Sequence, residues 1–182
     1  FEVALHPLIE PCPTTSLSYA SLANVFDAQL SQFQANFTGV PAPVSSRTHC
    51  VYWPDWASEP KIELAHGIRM DGNYYHYPAA WLGSKPGFLN GGGFPMRFAD
   101  LDGSLIDVYQ ENTNMTDESG QSYPATINAL LDNALGPLGY YGAFGANIHD
   151  DFPAPNADDE AIVASAQARG VPVISYKQLL TW

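Results

Sequence analysis

Apolar and polar residues alternate along the chain with two different periods, and these periods predict strands and helices in turn. Phe1, Val3 and Leu5 alternate with smaller or polar residues until proline ends the pattern, which predicts a β-strand over residues 1–6. From Leu17 to Phe37 the apolar residues recur at helical spacing, after Ser and Thr residues that are candidate caps. The chain is therefore expected to open with a strand followed by a long helix.

The same two periods continue to the end of the chain. Further strands are predicted at residues 44–49, at 67–71, at 95–110 as two strands around an Asp-Gly turn, at 139–149 and at 171–176. Further helices are predicted at residues 55–67, 124–134, 157–170 and 177–182. This alternation predicts an α/β domain with mostly parallel strands. Residues 72–94 form a long, aromatic and glycine-rich segment, which is typical of a functional loop.

Charge and composition limit the classes of molecule that this chain is expected to bind. The chain of 182 residues has 7 Lys and Arg against 19 Asp and Glu, for a formal charge of −12. Such a negative balance argues against nucleic acid and anionic membrane surfaces, and it favours a neutral ligand or a bound cation. No uninterrupted apolar stretch reaches the roughly 18 residues that a membrane span needs.

Two cysteines, Cys12 and Cys50, each follow shortly after a predicted strand. A disulfide between them would suit an exported protein, and two unpaired thiols are the alternative. The few lysines and the calculated pI of about 4.4 favour a secreted or cell-surface location. The cysteine pattern alone leaves both states of the thiols open.

Polar side chains occupy the ends of several predicted strands. Counting by twos along each strand puts His6, Arg47, His49, Asp71 and His149 at or near the last position of a small or polar face. Parallel strands in a barrel present their carboxyl ends at one mouth, where active sites lie, so these side chains are expected to converge. The alternative for each one alone is a hydrogen-bonded structural residue.

The order of these residues resembles the motifs of the polysaccharide deacetylases, a family of carbohydrate esterases, and most closely its divergent bacterial members. His6 falls on the first histidine of the family's His-x-x-x-His metal motif, and Glu10 stands where the second histidine would be. Arg47 matches the arginine that opens the next motif, with Thr48 and His49 in place of its prolines. This part of the resemblance implies a metal site at His6 and Glu10.

Two further motifs follow in the same order. Asp71, with Tyr74 and Tyr75 close behind, is similar to the motif whose aspartate holds the arginine and whose aromatic side chain lines the substrate groove. The segment ending at His149 resembles the motif that carries the catalytic acid, with Asn147 in place of its leucine. The resemblance therefore implies catalytic roles for Arg47, Asp71 and His149.

The resemblance also implies a fold. The family is built on a distorted (β/α)7-type barrel with parallel strands, in which the hairpin over residues 95–110 would be an insertion. The family's first motif, Thr-Phe-Asp-Asp-Gly, supplies the catalytic base and an aspartate ligand, and its place would be upstream of Phe1. Residues 1–182 are therefore expected to form the larger, C-terminal part of one deacetylase-like domain, without its first strands.

The activity implied is metal-dependent hydrolysis of an N- or O-acetyl group on a glycan. A divalent metal, with zinc as the first candidate, would activate water, and His149 would protonate the leaving group. Arg47 and Asp71 would form an ion pair that positions the base. His49, Trp53, Tyr74 and Tyr75 would contact the sugar, although aromatic side chains also serve as core.

A protein of another class is the alternative: a non-catalytic glycan-binding or structural cell-surface protein on a degenerate deacetylase fold. Fold alone does not fix function. Metal content separates the two classes, because the esterase needs a stoichiometric ion and the binding protein does not.

Overall fold

The computed structural model describes residues 2–74, 93–119, 121–139, 141–150 and 155–182, with the backbone alone at Tyr74, Ser119, Pro155 and Asn156. The chain divides into two compact units, which are described separately. Unit 1 comprises Phe1–Asn73, Met96–Gln110 and Ser175–Trp182. Unit 2 comprises Tyr74–Pro95 and Glu111–Ile174.

The structure has helices and strands in the following order. The helices are α1 (Tyr19–Asn36), α2 (Ser58–Ala65), α3 (Ala125–Leu135), α4 (Pro155–Ala168) and α5 (Tyr176–Thr181), with a 3-10 turn at Asp117–Ser119. The strands are β1 (Ser45–Ser46), β2 (Met70–Tyr74), β3 (Met96–Ala99), β4 (Leu105–Thr116) and β5 (Gly145–Asn147). The prediction of a mixed α/β protein is confirmed.

The strands of unit 1 follow the order β1–β2–β4–β3. β1 and β2 are parallel, whereas β3 and β4 form an antiparallel hairpin. In unit 2 the end of β4 pairs with β5 in parallel. Five strands are thus joined in an open and mostly parallel arrangement, and a closed barrel is not formed among the described residues.

The predicted first strand is shorter in the structure. Leu5 alone makes a parallel bridge, to Ser46, and its N–H donates to the carbonyl of Ser45. The N–H groups of Arg47 and His49 then donate to the carbonyls of Leu5 and Pro7. Proline at position 7 has no N–H to extend the ladder, which limits the pairing.

Further strand predictions need correction, among them that of residues 44–49, where only Ser45–Ser46 form a strand. The segment 67–71 is not a strand ending at Asp71, because β2 runs from Met70 to Tyr74 and Asp71 lies near its start. Among the described residues of the segment 139–149, only Gly145–Asn147 form a strand. Residues 171–175 form no strand, and α5 begins directly after them, at Tyr176. In each case the apolar pattern was real, but backbone pairing with a neighbour decides where a strand begins and ends.

The helices lie close to their predicted positions because local capping signals fix their ends. Ser18 caps α1 by accepting from the N–H of Ser21. Asp55 accepts from the N–H groups of Ala57 and Ser58 at the start of α2. Gly67, at a φ of 78°, follows the end of α2 and adopts a left-handed conformation that suits glycine.

Each unit has an apolar core of its own. In unit 1, α1 packs on α2, and the principal cluster contains Leu5, Leu22, Phe26, Leu30, Tyr52, Ile62 and Ile68. In unit 2, α3 packs on α4, and the cluster contains Met115, Ile127, Leu130, Leu131, Ile162 and Ala166. None of the described helices combines the length and apolar character that crossing a membrane requires.

The hypothesis of a disulfide between Cys12 and Cys50 is confirmed. The two residues are bonded, with their Cα atoms 5.9 Å apart. The bond joins the segment after Leu5 to the segment after β1, so it fixes the two chain segments that carry His6 and His49.

The contact between Gly72 and Tyr176 provides a test of unit 1. A Cβ atom at Gly72 would lie 2.6 Å from Cε2 of the Tyr176 ring. We expect Gly72→Ala to lower the free energy of unfolding by about 1–3 kcal/mol, because the ring must move away. Gly39→Ala is the matched control, since nothing lies within 4 Å of a Cβ there. Equal denaturant midpoints for the two variants would contradict this packing.

Candidate functional site

A surface group of side chains, His6, Glu10 and His49, lies beside the disulfide of unit 1. The rings of His6 and His49 are 5.6 Å apart between centroids and nearly perpendicular. Nε2 of His49 is 3.4 Å from Oε1 of Glu10. The structure therefore brings both predicted metal residues against a histidine that was predicted to bind substrate.

The residue types of the surface group fit a zinc-type ion. Two ligands of a tetrahedral zinc site lie about 3.3 Å apart when each bond is about 2.0 Å, which is close to the separation of His49 and Glu10. Imidazole nitrogen and carboxylate oxygen are both zinc ligands. Among the described residues, however, His6 is in neither of the two sets whose ligand atoms all lie within 4.8 Å. His6 would have to approach for all three to bind one ion.

One of those two sets contains Cys12, His49 and Cys50. Both sulfur atoms are joined in the disulfide. Since metals bind thiolates, this set does not offer a sulfur site.

Arg47 and Asp71 have different surroundings. Nη1 of Arg47 donates to the carbonyl of Gly72 at 2.5 Å. Asp71 is fully buried, and its carboxylate accepts from the N–H and side-chain amide of Asn73 at 2.8 and 2.6 Å. The predicted ion pair between Arg47 and Asp71 is not among the ion pairs described for the chain, so the roles assigned to these two residues stay predictions.

A second set of ligand-type side chains is buried beneath the sheet of unit 1. Glu59 and Glu63 lie one turn apart on α2, and Asp71 faces them from β2; one carboxylate oxygen from each lies within 4.8 Å of the others. All three residues have an exposed fraction of 0%. We call Glu59, Glu63 and Asp71 the buried carboxyl group.

Neutral donors surround the buried carboxyl group. The amide of Asn73 bridges Glu59 and Asp71, at 3.0 and 2.6 Å, while its oxygen accepts from the N–H and hydroxyl of Thr48 at 2.8 Å each. The Ser46 hydroxyl donates to Glu63. Because Thr48 holds the amide oxygen, the NH₂ of Asn73 must face the acids.

Burial has a large effect on these acids. It raises the pKa of Glu59 well above the ordinary value, and the charge of Asp71 acts in the same direction. Burial likewise raises the pKa of Glu63, helped by the charges of Asp71 and Glu59. The pKa of Asp71 is also raised by burial, although hydrogen bonds from Asn73 oppose the shift. Without a cation, the group therefore favours bound protons over three negative charges.

In unit 2 the predicted catalytic acid, His149, is held by Asp117. Oδ1 of Asp117 lies 2.9 Å from Nδ1 of His149, and Oδ2 accepts from the backbone N–H of His149 at 2.9 Å. Burial alone would raise the pKa of Asp117, but the hydrogen bonds from His149 outweigh it and lower the pKa below its ordinary value. Asp117 is thus an ionised partner that orients the imidazole.

The residues predicted to act together belong to both units. His6, Arg47, His49 and Asp71 belong to unit 1, and His149 belongs to unit 2. Each has been described in its own unit, and their convergence at one mouth stays a prediction.

The predicted sugar-binding aromatics are only partly described. Trp53 is half-buried and packs against two apolar clusters of unit 1, which matches the alternative of core packing. Tyr74 ends β2, and its side chain lies outside the described residues, as does Tyr75. Most of the predicted loop 72–94 falls in the same undescribed range.

Three acids of these sites were missed from the sequence: Glu59, Glu63 and Asp117. The spacing of Glu59 and Glu63 was a signal in the sequence. Two acids four residues apart on an exposed helix repel each other, so this spacing is unfavourable unless something else stabilises it. Asp117 follows β4, which was expected to end near Gln110 and continues to Thr116. With the shorter strand, Asp117 had no predicted neighbour.

Comparisons of the chain with protein-family models, with curated proteins and with solved structures find no match. The structure itself defines a mixed α/β protein. Its candidate sites are the buried carboxyl group, the surface group of His6, Glu10 and His49, and the Asp117–His149 pair.

Glu111 in unit 2 provides a pH test. Burial raises the pKa of this carboxyl, which is 1% exposed, from 4.5 to about 8. The folded state therefore holds a proton that the unfolded chain releases. This contribution to stability is complete below pH 4.5 and is lost as the pH rises towards 8, by up to about 1.4 kcal/mol per pH unit.

We expect Glu111→Gln to flatten the decline in unfolding free energy between pH 5 and 8, measured by denaturant titration. Glu160→Gln, at an exposed position of the same unit, is the control and should keep the wild-type slope. A wild-type slope in Glu111→Gln would show that Glu111 is not a buried neutral acid.

Proposed function

We propose that this chain is a hydrolase domain that removes acetyl groups from a glycan with the help of a divalent metal. The observation that carries the proposal is the Asp117–His149 pair, in which a largely buried carboxylate holds one ring nitrogen and the backbone N–H of the histidine. A histidine oriented in this way suits general acid catalysis, because the position and tautomer of the ring are fixed before the substrate arrives.

His149 moves the proton in this proposal. Asp117 occupies Nδ1, so proton exchange with a leaving amine or alkoxide would take place at Nε2. The carboxylate of Asp117 would balance the charge of the protonated ring while the proton is held. Asp117 is thus a positioning residue, and His149 is the catalytic residue.

His6 and Glu10 would hold the metal, with His49 as a third ligand or as a contact to the substrate. When bound, a zinc-type ion polarises the acetyl carbonyl and lowers the pKa of water. Three protein ligands are usual in a catalytic zinc site, and the surface group offers that number.

The proposal includes the expected barrel fold of the polysaccharide deacetylases. A distorted (β/α)7-type barrel is supported by the parallel pairs β1–β2 and β4–β5, with the β3–β4 hairpin as an insertion. The hairpin contains the expected Asp-Gly turn, with Gly103 at a φ of 86°.

The catalytic test is acetate release from N-acetylated and O-acetylated oligosaccharides in the presence of zinc. We expect His149→Ala to lower kcat by about 10²–10⁴-fold and Asp117→Asn by about 10–100-fold, with little change in KM. Rescue of His149→Ala by added imidazole would separate lost chemistry from lost folding.

A structural His–Asp pair provides the matched control. His66 contacts Asp27 through Nε2 at 2.8 Å and the carbonyl of Ile62 through Nδ1 at 2.7 Å. Asp27→Asn should leave kcat unchanged. An equal loss of kcat in Asp27→Asn and Asp117→Asn would contradict the assigned role, because both would then act through stability.

The metal has a test of its own. We expect His6→Ala and Glu10→Gln each to reduce zinc bound after dialysis, measured by elemental analysis, because each removes a ligand. His149→Ala should keep the wild-type zinc content. If the wild type neither retains zinc nor releases acetate but binds the oligosaccharides, the glycan-binding alternative replaces the esterase.

A further inference from the structure

The buried carboxyl group presents a problem of charge. Three carboxylates without counter-charge would be very costly at this depth, since even one isolated ion is strongly destabilising away from water. The donors to these acids are neutral, namely Ser46, Asn73 and Gln110, and Glu63 in its protonated form also donates to Asp71. The hydrogen bonds therefore reduce the cost but do not supply positive charge.

Two basic side chains that neighbour the buried carboxyl group in the sequence pair with other acids. Lys61, which is also on α2, pairs with Asp100 at 2.6 Å. Arg69, close before β2, pairs with Asp107 at 2.5 Å. Neither of these ion pairs includes a member of the buried carboxyl group, although both basic residues are neighbours of its members in the sequence.

Two buried carboxylate oxygens of the buried carboxyl group have no hydrogen-bond donor. As carboxylates, Glu59 and Glu63 each keep one buried oxygen, Oε2, without a hydrogen-bond donor. Such orphan atoms are rare in native interiors and need a partner. One carboxylate oxygen from each of Glu59, Glu63 and Asp71 lies within 4.8 Å of the other two, so one small ion can contact all three carboxylates.

Tyr52 carries a further buried polar group without a hydrogen-bond partner among the described residues. Tyr52 is 3% exposed, and its hydroxyl has no hydrogen-bond partner among the described residues. Burial raises the pKa of Tyr52 to about 12, and the charge of Glu59 contributes in the same direction. A neutral hydroxyl, which can offer a lone pair, is therefore buried within the field of Glu59.

We propose that Glu59, Glu63 and Asp71 bind a hard divalent cation inside unit 1, at a site separate from the surface group. Three carboxylates without histidine or thiolate form an oxygen site, which suits Ca²⁺, Mg²⁺ or Mn²⁺ rather than a softer ion. The cation neutralises two of the three charges and contacts the orphan oxygens. Asn73 and Ser46 fix the carboxylates from outside, as second-layer partners of metal ligands do.

The role of the cation is structural. It joins α2 to β2, because two ligands lie on the helix and one on the strand. The site is fully buried, so the ion would enter during folding, when α2 and β2 come together.

The experiment unfolds the wild-type chain in chelator and refolds it with CaCl₂, MgCl₂ or MnCl₂, or with chelator alone. We expect one cation per chain by elemental analysis after dialysis. At a cation concentration of about 100 times Kd, the thermal midpoint should rise by about 5–10 °C relative to the chelated chain. Tb³⁺, refolded in place of Ca²⁺, should emit when aromatic side chains are excited, because Tyr52 lies close to Glu59.

The test variant is Glu59→Gln/Glu63→Gln, which keeps the side-chain size and removes two charges. We expect it to fold without cation, to bind none and to lose the sensitised Tb³⁺ emission. Glu160→Gln, at an exposed position of unit 2 outside both proposed metal sites, is the control and should keep cation content and emission.

Two outcomes would overturn the proposal. One is a wild-type chain that folds but gains neither bound cation nor thermal stability with any of the three ions; the buried carboxyl group would then hold protons. The other is a wild-type cation content in the double variant, which would place the ion elsewhere. The wild-type measurements decide the first outcome even if the double variant fails to fold.

Discussion

The burial of three carboxyl groups against the β1–β2 strand pair is the constraint on which unit 1 depends. The parallel register pairs Ser46 with Asp71, and the Ser46 hydroxyl also donates to Glu63 of α2. A shift of one residue would move Ser46 to the other face and leave Glu63 without its donor. The hydrogen bond between Ser46 and Glu63 therefore forms only in the observed register.

The connection from α2 to β2 serves the same constraint. Gly67 takes a positive φ, and the N–H of Ile68 donates back to the carbonyl of Glu63. The turn thus closes on the residue whose side chain is bound by Ser46. Backbone and side chain of Glu63 together hold the helix against the strand that carries Asp71.

Segment 46–49 then links this interior to the surface. Ser46 and Thr48 are buried and contact the buried carboxyl group or its Asn73 partner, while Arg47 and His49 are more exposed. This is the alternation of an extended chain, and the prediction that Arg47 and His49 share a face rests on it. The other face was not interpreted, because Ser and Thr carry little signal unless their acidic partners are known.

The parts of the fold that the sequence could predict are those set by local chemistry. Ser18 begins α1 and Gly67 follows α2, close to the predicted ends, because capping depends on adjacent residues. The extent of β2 and the burial of Glu59 depend instead on strands and side chains far away in sequence. Acidic residues are seldom buried, so a helix containing Glu59 and Glu63 is not expected to turn them inward.

The two histidine–aspartate pairs show why geometry, and not residue type, separates a candidate catalytic group from a structural one. Both ring nitrogens of His66 contact protein acceptors, Asp27 and the carbonyl of Ile62, so this ring is committed to joining α1 and α2. His149 meets Asp117 through Nδ1 and its own backbone N–H, so one carboxylate fixes both the ring and the chain that carries it. Proton transfer needs a ring that is oriented at one nitrogen and available for exchange at the other. The arrangement at His66 excludes that use, whereas at His149 the Asp117 carboxylate orients the ring at Nδ1.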